Sequence, residues 1–134
     1  MIPTTNKALS TSLVFATQPT IQHQMLMESG RIIGKCDGLE AVKQAIYKIL
    51  NTERYEYPIY SWQYGVELAD LFGQTPDYVM PEIERRVTEA LTMDDRITGA
   101  DSFEFDRPQK NSILATFTVH TIYGDVNEEV TVNI

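Results

Sequence analysis

Reactive side chains are sparse in this sequence, and none stands at a spacing that a known chemistry requires. His23 and His120 are the only histidines, and they fall in separate predicted strands, far from the short spacings that hold zinc. Cys36 is the single cysteine, which excludes an internal disulfide and any multi-cysteine zinc site. With no histidine beside it in sequence, Cys36 reads as a small buried apolar residue at a strand end. Asp94, Asp95, Asp101 and Asp106 lack the glycine-punctuated spacing of a calcium loop, and the sequence contains neither a glycine-rich phosphate loop nor a nucleophile elbow. The expectation is therefore no catalytic residue, no metal and no cofactor.

Two features remain. Glu53 and Arg54 follow a predicted helix end, where partial negative charge favours Arg54 and disfavours Glu53 unless it finds a partner. As free loop charges they would be worth about 0–1 kcal/mol. Beside them lie five aromatics within ten residues: Tyr55, Tyr57, Tyr60, Trp62 and Tyr64. The net charge of -8 repels phosphate backbones and anionic lipids and removes the cationic groove of a base-stacking platform. Aromatics next to an arginine match the composition of protein-interface hot spots, and part of the cluster is expected to cover the domain's own core.

The elements that must position these residues form one domain over residues 19–134, preceded by a polar arm over 1–18. A chain of 134 residues buries roughly two-thirds of its unfolded surface in a single core. Neither a ~20-residue apolar run nor a signal-peptide pattern occurs, so cytoplasmic synthesis is expected. Ser29-Gly30 predicts a hairpin pairing Met27 with Ile32 and Leu26 with Ile33. Asp37 with Glu40 predicts a helix start, and Leu39, Val42, Ile46, Ile49 and Leu50 share one face of a helix ending near Asn51, with Lys43, Gln44 and Lys48 outward. A second helix is expected over 65–72 with Leu68, Leu71 and Phe72 inward, closed by Gly73. A third is expected from Pro81, with Val79, Ile83, Val87 and Leu91 buried and a Glu82–Arg86 pair outside.

Beyond these, Phe103 and Phe105 share a strand face before a polar loop over 107–111. Gly124-Asp125 predicts a hairpin turn between strands 113–123 and 126–134, opposing Phe117 to Val132, Val119 to Val130, Ala115 to Ile134 and His120 to Glu129. The fold class is α+β: an N-terminal β-hairpin, three helices, then antiparallel strands ending in a C-terminal β-hairpin.

The stretch Ile49-Leu50-Asn51-Thr52-Glu53-Arg54-Tyr55-Glu56-Tyr57-Pro58, followed by Tyr64-Gly65-Val66-Glu67-Leu68 and Leu71, resembles the signature of the baseplate wedge and sheath-initiator family of contractile phage tails. It is similar to the branch from Gram-positive prophages and phage-tail-like bacteriocins, and to a type VI secretion baseplate subunit. The resemblance spans about Glu28 to Phe105. Thr52 stands where the family commonly has glycine, and Ile59-Tyr60-Ser61-Trp62-Gln63 lengthens the spacer.

The resemblance implies a structural subunit in about six copies, assembled in the bacterial cytoplasm and carried in the baseplate of a virion or phage-tail-like particle. Its implied partners are other wedge proteins, the tail sheath, and tail tube or hub proteins, with no nucleic acid and no membrane. Glu53, Arg54, Tyr55, Tyr57, Pro58, Tyr60, Trp62 and Tyr64 would form the wedge interface, with Glu53 and Arg54 adding little to folding. Val126, Val130, Thr131, Val132, Asn133 and Ile134 would pair with a sheath strand by β-augmentation, along an edge carrying neither proline nor lysine.

Some family members are named tail lysozymes, which makes peptidoglycan cleavage the alternative. Glycoside hydrolysis needs two carboxylates about 5–9.5 Å apart, one of them protonated. Glu53 adjoins Arg54, which favours the ionised form, the opposite of what a general acid needs.

Overall fold

The computed structural model describes residues 20–134; the expected arm over 1–18 lies outside them. The elements run β1 (Gln22–Leu26), β2 (Arg31–Cys36), α1 (Gly38–Leu50), a 3-10 turn (Ala69–Leu71), α2 (Pro76–Thr92), β3 (Ile97–Gln109), β4 (Ser112–Thr121) and β5 (Gly124–Asn133). The first two strands pair as a separate hairpin, and the last three form a sheet ordered β3-β4-β5. This is the expected α+β arrangement with two helices instead of three.

Binary patterning builds the core. Val42, Ile46, Ile49 and Leu50 of α1 and Val79, Ile83, Val87 and Leu91 of α2 meet the sheet face made by Ile113, Ala115, Phe117, Val119 and Val132. Both helices lie on that one face, α2 against β3 and β4 and α1 against β5. Phe103 stacks on Phe117 at 4.9 Å. Phe103 and Phe105 both turn to the core, as their spacing predicts, and an extra residue in β3 between Asp101 and Glu104, where Ser102 takes φ +56°, brings Ala100 to the same side. The opposite face carries Thr116, Glu129, Thr131 and Asn133 in solvent.

Several expectations need correction. The first hairpin pairs Leu26 with Arg31 and Met25 with Ile32, because its loop takes four residues, Met27 to Gly30. A register shift beside Gly34, at φ +74°, follows. The segment over 65–72 is only a 3-10 turn in which Leu71 is buried and Phe72 is 73% exposed; neighbouring residues on so tight a turn point about 120° apart and cannot both face inward. Helix α2 starts at Pro76 and carries Pro81 inside. The amide that Pro81 lacks would have reached the carbonyl of Asp77, and both residues are exposed, so water can satisfy that carbonyl.

Strand β3 continues to Gln109, leaving Lys110-Asn111 as the turn; Pro108 is accommodated because β3 is an edge strand. The last hairpin turns at Ile122-Tyr123, not at Gly124-Asp125, so Phe117 faces Glu128, Val119 faces Val126, Ala115 faces Val130 and Ile113 faces Val132. The expected pairs were displaced by an even number of residues, which leaves every side chain on its expected face. His120 faces Asp125 instead of Glu129.

Helix α1 begins at Asp37, whose carboxylate accepts from Gly38 N at 2.7 Å. Its polar face is less free than expected. Gln44, half-buried, accepts from Met25 N at 2.8 Å and donates to His23 O at 2.7 Å. One side-chain amide thus takes the place of a neighbouring strand along β1.

Candidate partner-binding surfaces

The Glu53–Arg54 turn is built by backbone bonds between two distant segments. Val66 N donates to Thr52 O at 3.0 Å and Arg54 N to Val66 O at 3.2 Å, making a parallel bridge between Glu53 and Val66. The approach is so close that a Cβ on Gly65 would lie 2.4 Å from Thr52 O, and Gly65 sits at φ +91°. Only glycine fits there.

This bridge aims Glu53 at the 3-10 turn. Its carboxylate accepts from Leu68 N and Ala69 N, each at 3.1 Å, satisfying amides that the turn itself leaves open. The partner that Glu53 needs so near a helix C-terminus is therefore another backbone of the same chain. Arg54 donates to Gly65 O at 3.3 Å and to Glu89 at 3.2 Å, with only 12% of its side chain exposed. The expectation that this pair adds little to folding is corrected: both residues hold the inter-helix segment to the rest of the domain.

Arg54 opens a chain of ion pairs over α2. Glu89 also meets Arg85, Arg85 meets Glu82, Glu82 meets Arg86, and Arg86 meets Asp70 beside the 3-10 turn. The expected Glu82–Arg86 pair is present at 2.9 Å. Arg86 also donates to Glu67 O at 2.8 Å. Hydrogen bonding from Arg86 holds the Asp70 carboxyl below its ordinary range, and Arg85, then Arg86, do the same for Glu82. Both shifts favour the anion, the opposite of what a general acid needs.

The aromatic loop divides between core and solvent, as its composition suggests. Tyr64 packs against the core, and burial pushes its phenol pKa upward. Tyr60 stacks on Tyr64 at 4.5 Å, and Tyr57 meets Tyr60 edge-on at 6.2 Å. Outside this stack Tyr55, Pro58, Ile59 and Trp62 project, with Ile59 85% and Trp62 82% exposed. Tyr55 holds φ +70°, a left-handed conformation unusual for a bulky residue. The neighbouring turns bond internally, Tyr60 N to Tyr57 O and Tyr64 N to Ser61 O.

A second surface is the outer edge of β5, which pairs with no strand among the described residues. Ile134 N donates to Asn111 O at 2.8 Å, and the register is unbroken from Ser112–Asn133 to Thr121–Gly124. Alternation then fixes direction. Residues 126, 128, 130 and 132 turn their backbone groups toward β4, while 127, 129, 131 and 133 turn theirs outward. Of the expected pairing residues, Thr131 and Asn133 offer backbone to a partner; Val126, Val130, Val132 and Ile134 belong to the existing ladder and the core side.

At the turn end of the sheet, His120 Nε2 lies 2.8 Å from Asp101 and Nδ1 lies 2.7 Å from Asp125. Acceptors on both ring nitrogens require two N–H donors and therefore the imidazolium. Asp125, then Asp101, accordingly raise its pKa above 6.5. The carboxylates approach opposite sides of the ring, and no metal-binding group of three occurs among the described residues.

Sequence reasoning placed Phe72 inward and Gln44 outward, where the structure has Phe72 exposed and Gln44 bonded to β1, and it did not assign Glu53 its capping role. A signal existed for the last, since an acid just past a helix end needs donors. For Gln44 there was none.

A sequence model of the family described as the contractile injection system sheath initiator matches residues 17–124. A Bacillus subtilis protein, phage-like element PBSX protein XkdS, is 41% identical over 106 residues, covering 76% of this chain and 74% of that protein. A crystal structure from Geobacter sulfurreducens, described as a candidate tail lysozyme, superposes with a TM-score of 0.58 at 21% identity, covering 71% of this chain and 89% of that one. At that identity the likeness is one of fold.

Proposed function

The chain belongs to the contractile injection system sheath initiators, and from that premise we propose that it is a structural baseplate subunit that nucleates the sheath by accepting an extended sheath strand along β5. The observation that carries this reading is the outer edge of β5, which pairs with no strand among the described residues and has outward backbone groups at 127, 129, 131 and 133. Strand addition needs such a row, and its N–H and C=O groups supply affinity without demanding a particular sequence. The exposed side chains of Tyr55, Ile59 and Trp62 dock the subunit to other wedge proteins, the chemistry that dominates interface energetics. Tube or hub proteins and about six copies per particle complete the assembly.

Catalysis has no support from the geometry. Glu53 has its oxygens committed to backbone amides, and the tail-lysozyme description of the Geobacter structure carries over only as fold. The test is electron microscopy of particles carrying Thr131→Pro, paired with circular dichroism of the purified chain. A folded variant on sheathless baseplates is expected; normal sheaths on that variant would sink the strand-accepting role.

A further inference from the structure

Next to the outward edge of β5 lies an open groove of about 400 Å³, lined by Leu68, Ala69 and Phe72, by residues 131–133 and by Glu53. We infer that this groove is a side-chain pocket for the incoming strand, and that it selects an apolar residue at the position lying beside Val132. The inference rests on the strand-accepting reading of β5 and adds to it the chemistry of the strand.

A strand paired to β5 continues the pleat, so its residue next to Val132 points to the same face as Val132. That face is the core side, where Val132 is buried. One strand spacing, about 4.8 Å, carries that side chain past the present limit of the core and into the groove beside Leu68 and Phe72. Phe72 is 73% exposed even though Leu71 before it is fully buried, so the turn holds an aromatic ring out while anchored beneath. The residues on either side in the incoming strand face the wet side with Thr131 and Asn133 and can be polar. The occupant is thus an extended segment of alternating pattern with one apolar side chain at the pocket.

Glu53 is a positioning residue for this pocket. Its bonds to Leu68 N and Ala69 N fix the start of the turn that carries Phe72, and the adjoining Arg54 is fixed to Gly65 and Glu89. The turn behind the aromatic loop and the strand pocket therefore share one structural element.

The test compares Phe72→Ser, Phe72→Leu and Thr131→Pro in assembled particles by electron microscopy, with melting of each purified chain as the control. Phe72→Ser is expected to melt like the parent and to cut sheathed particles by about tenfold or more, the scale of one lost aromatic contact; Phe72→Leu should restore them. If Thr131→Pro abolishes sheaths while Phe72→Ser assembles normally, the pocket is refuted and the strand edge survives. Normal sheaths on both variants would overturn the edge and the pocket together. Should Phe72→Ser lower the melting temperature substantially, the ring is a core residue and the pocket is likewise refuted.

Discussion

In the loop over residues 55–64 the turns are bonded to their own backbone while Tyr55, Ile59 and Trp62 face water; along β5 the side chains are already sorted between core and solvent while alternate backbone groups meet no other strand among the described residues. On the proposed reading the first surface would recognise by side-chain identity and shape. The second would accept any extended chain and gain selectivity only from what flanks it. A partner of the loop would have to be sculpted to it, whereas a partner of β5 would mainly have to be a strand.

Proline separates the two most sharply. Val132→Pro removes an amide that bonds to β4 and a buried side chain, and should cost at least about 4 kcal/mol in denaturant melts. Thr131→Pro, one residue away with its amide outward, should leave the fold intact. Equal loss at both positions would show that the edge is not free. The scaffold common to both surfaces gives the next largest effects: Leu50→Ala should cost about 2–5 kcal/mol and Val87→Ala about 1–3 kcal/mol.

Gly65→Ala tests the loop side, because its methyl must displace Thr52 O at a φ that disfavours side chains. A loss of about 1–3 kcal/mol is expected, and a neutral result would break the account of the Glu53–Arg54 turn. Arg54→Ala gives up bonds to Gly65 O and Glu89 and should cost about 1 kcal/mol. Trp62→Ala should stay within about 0.5 kcal/mol yet impair baseplate incorporation, the signature of a residue that serves a partner and not the fold.

The smallest effect is electrostatic. His120 has its pKa raised by Asp125 and Asp101, so its contribution is complete below pH 6.5 and fades as pH rises through the raised value. Asp101, lowered chiefly by His120, loses its share as pH falls through its depressed value. The imidazole NMR titration of His120 should have a midpoint above 6.5, and Asp101→Asn with Asp125→Asn should return it toward 6.5; an unmoved midpoint would remove the imidazolium clamp.

Faces were legible in the sequence; turns were not. Phe117, Val119, Val130 and Val132 were placed on the core side because period-two alternation survives any even displacement of register. The turn itself slipped by two residues because Thr121 Oγ1 accepts from Tyr123 N and donates to Gly124 O, a local device that outweighs the usual Gly-X preference. The missing helix over 65–72 has a long-range cause. Val66 is held extended against Glu53, and Glu53 takes the amides of Leu68 and Ala69, so the segment is shaped by residues about fifteen positions away. That Glu53 needs a partner was readable from its place past a helix end; that the partner is the backbone of Leu68 and Ala69 was not.

Gln44 has a kinetic consequence. Because β1 meets α1 through side chains, Gln44 to Met25 N and His23 O and Gln22 to Ala41 O and Lys48, and because a lone two-stranded hairpin is marginal in water, the hairpin is expected to open by breaking these few side-chain bonds while the buried core stays shut. It should then behave as a cooperative unit with its own opening rate. The amide of Met25 should exchange with solvent through that local motion, long before the amides of β4 do so through global unfolding.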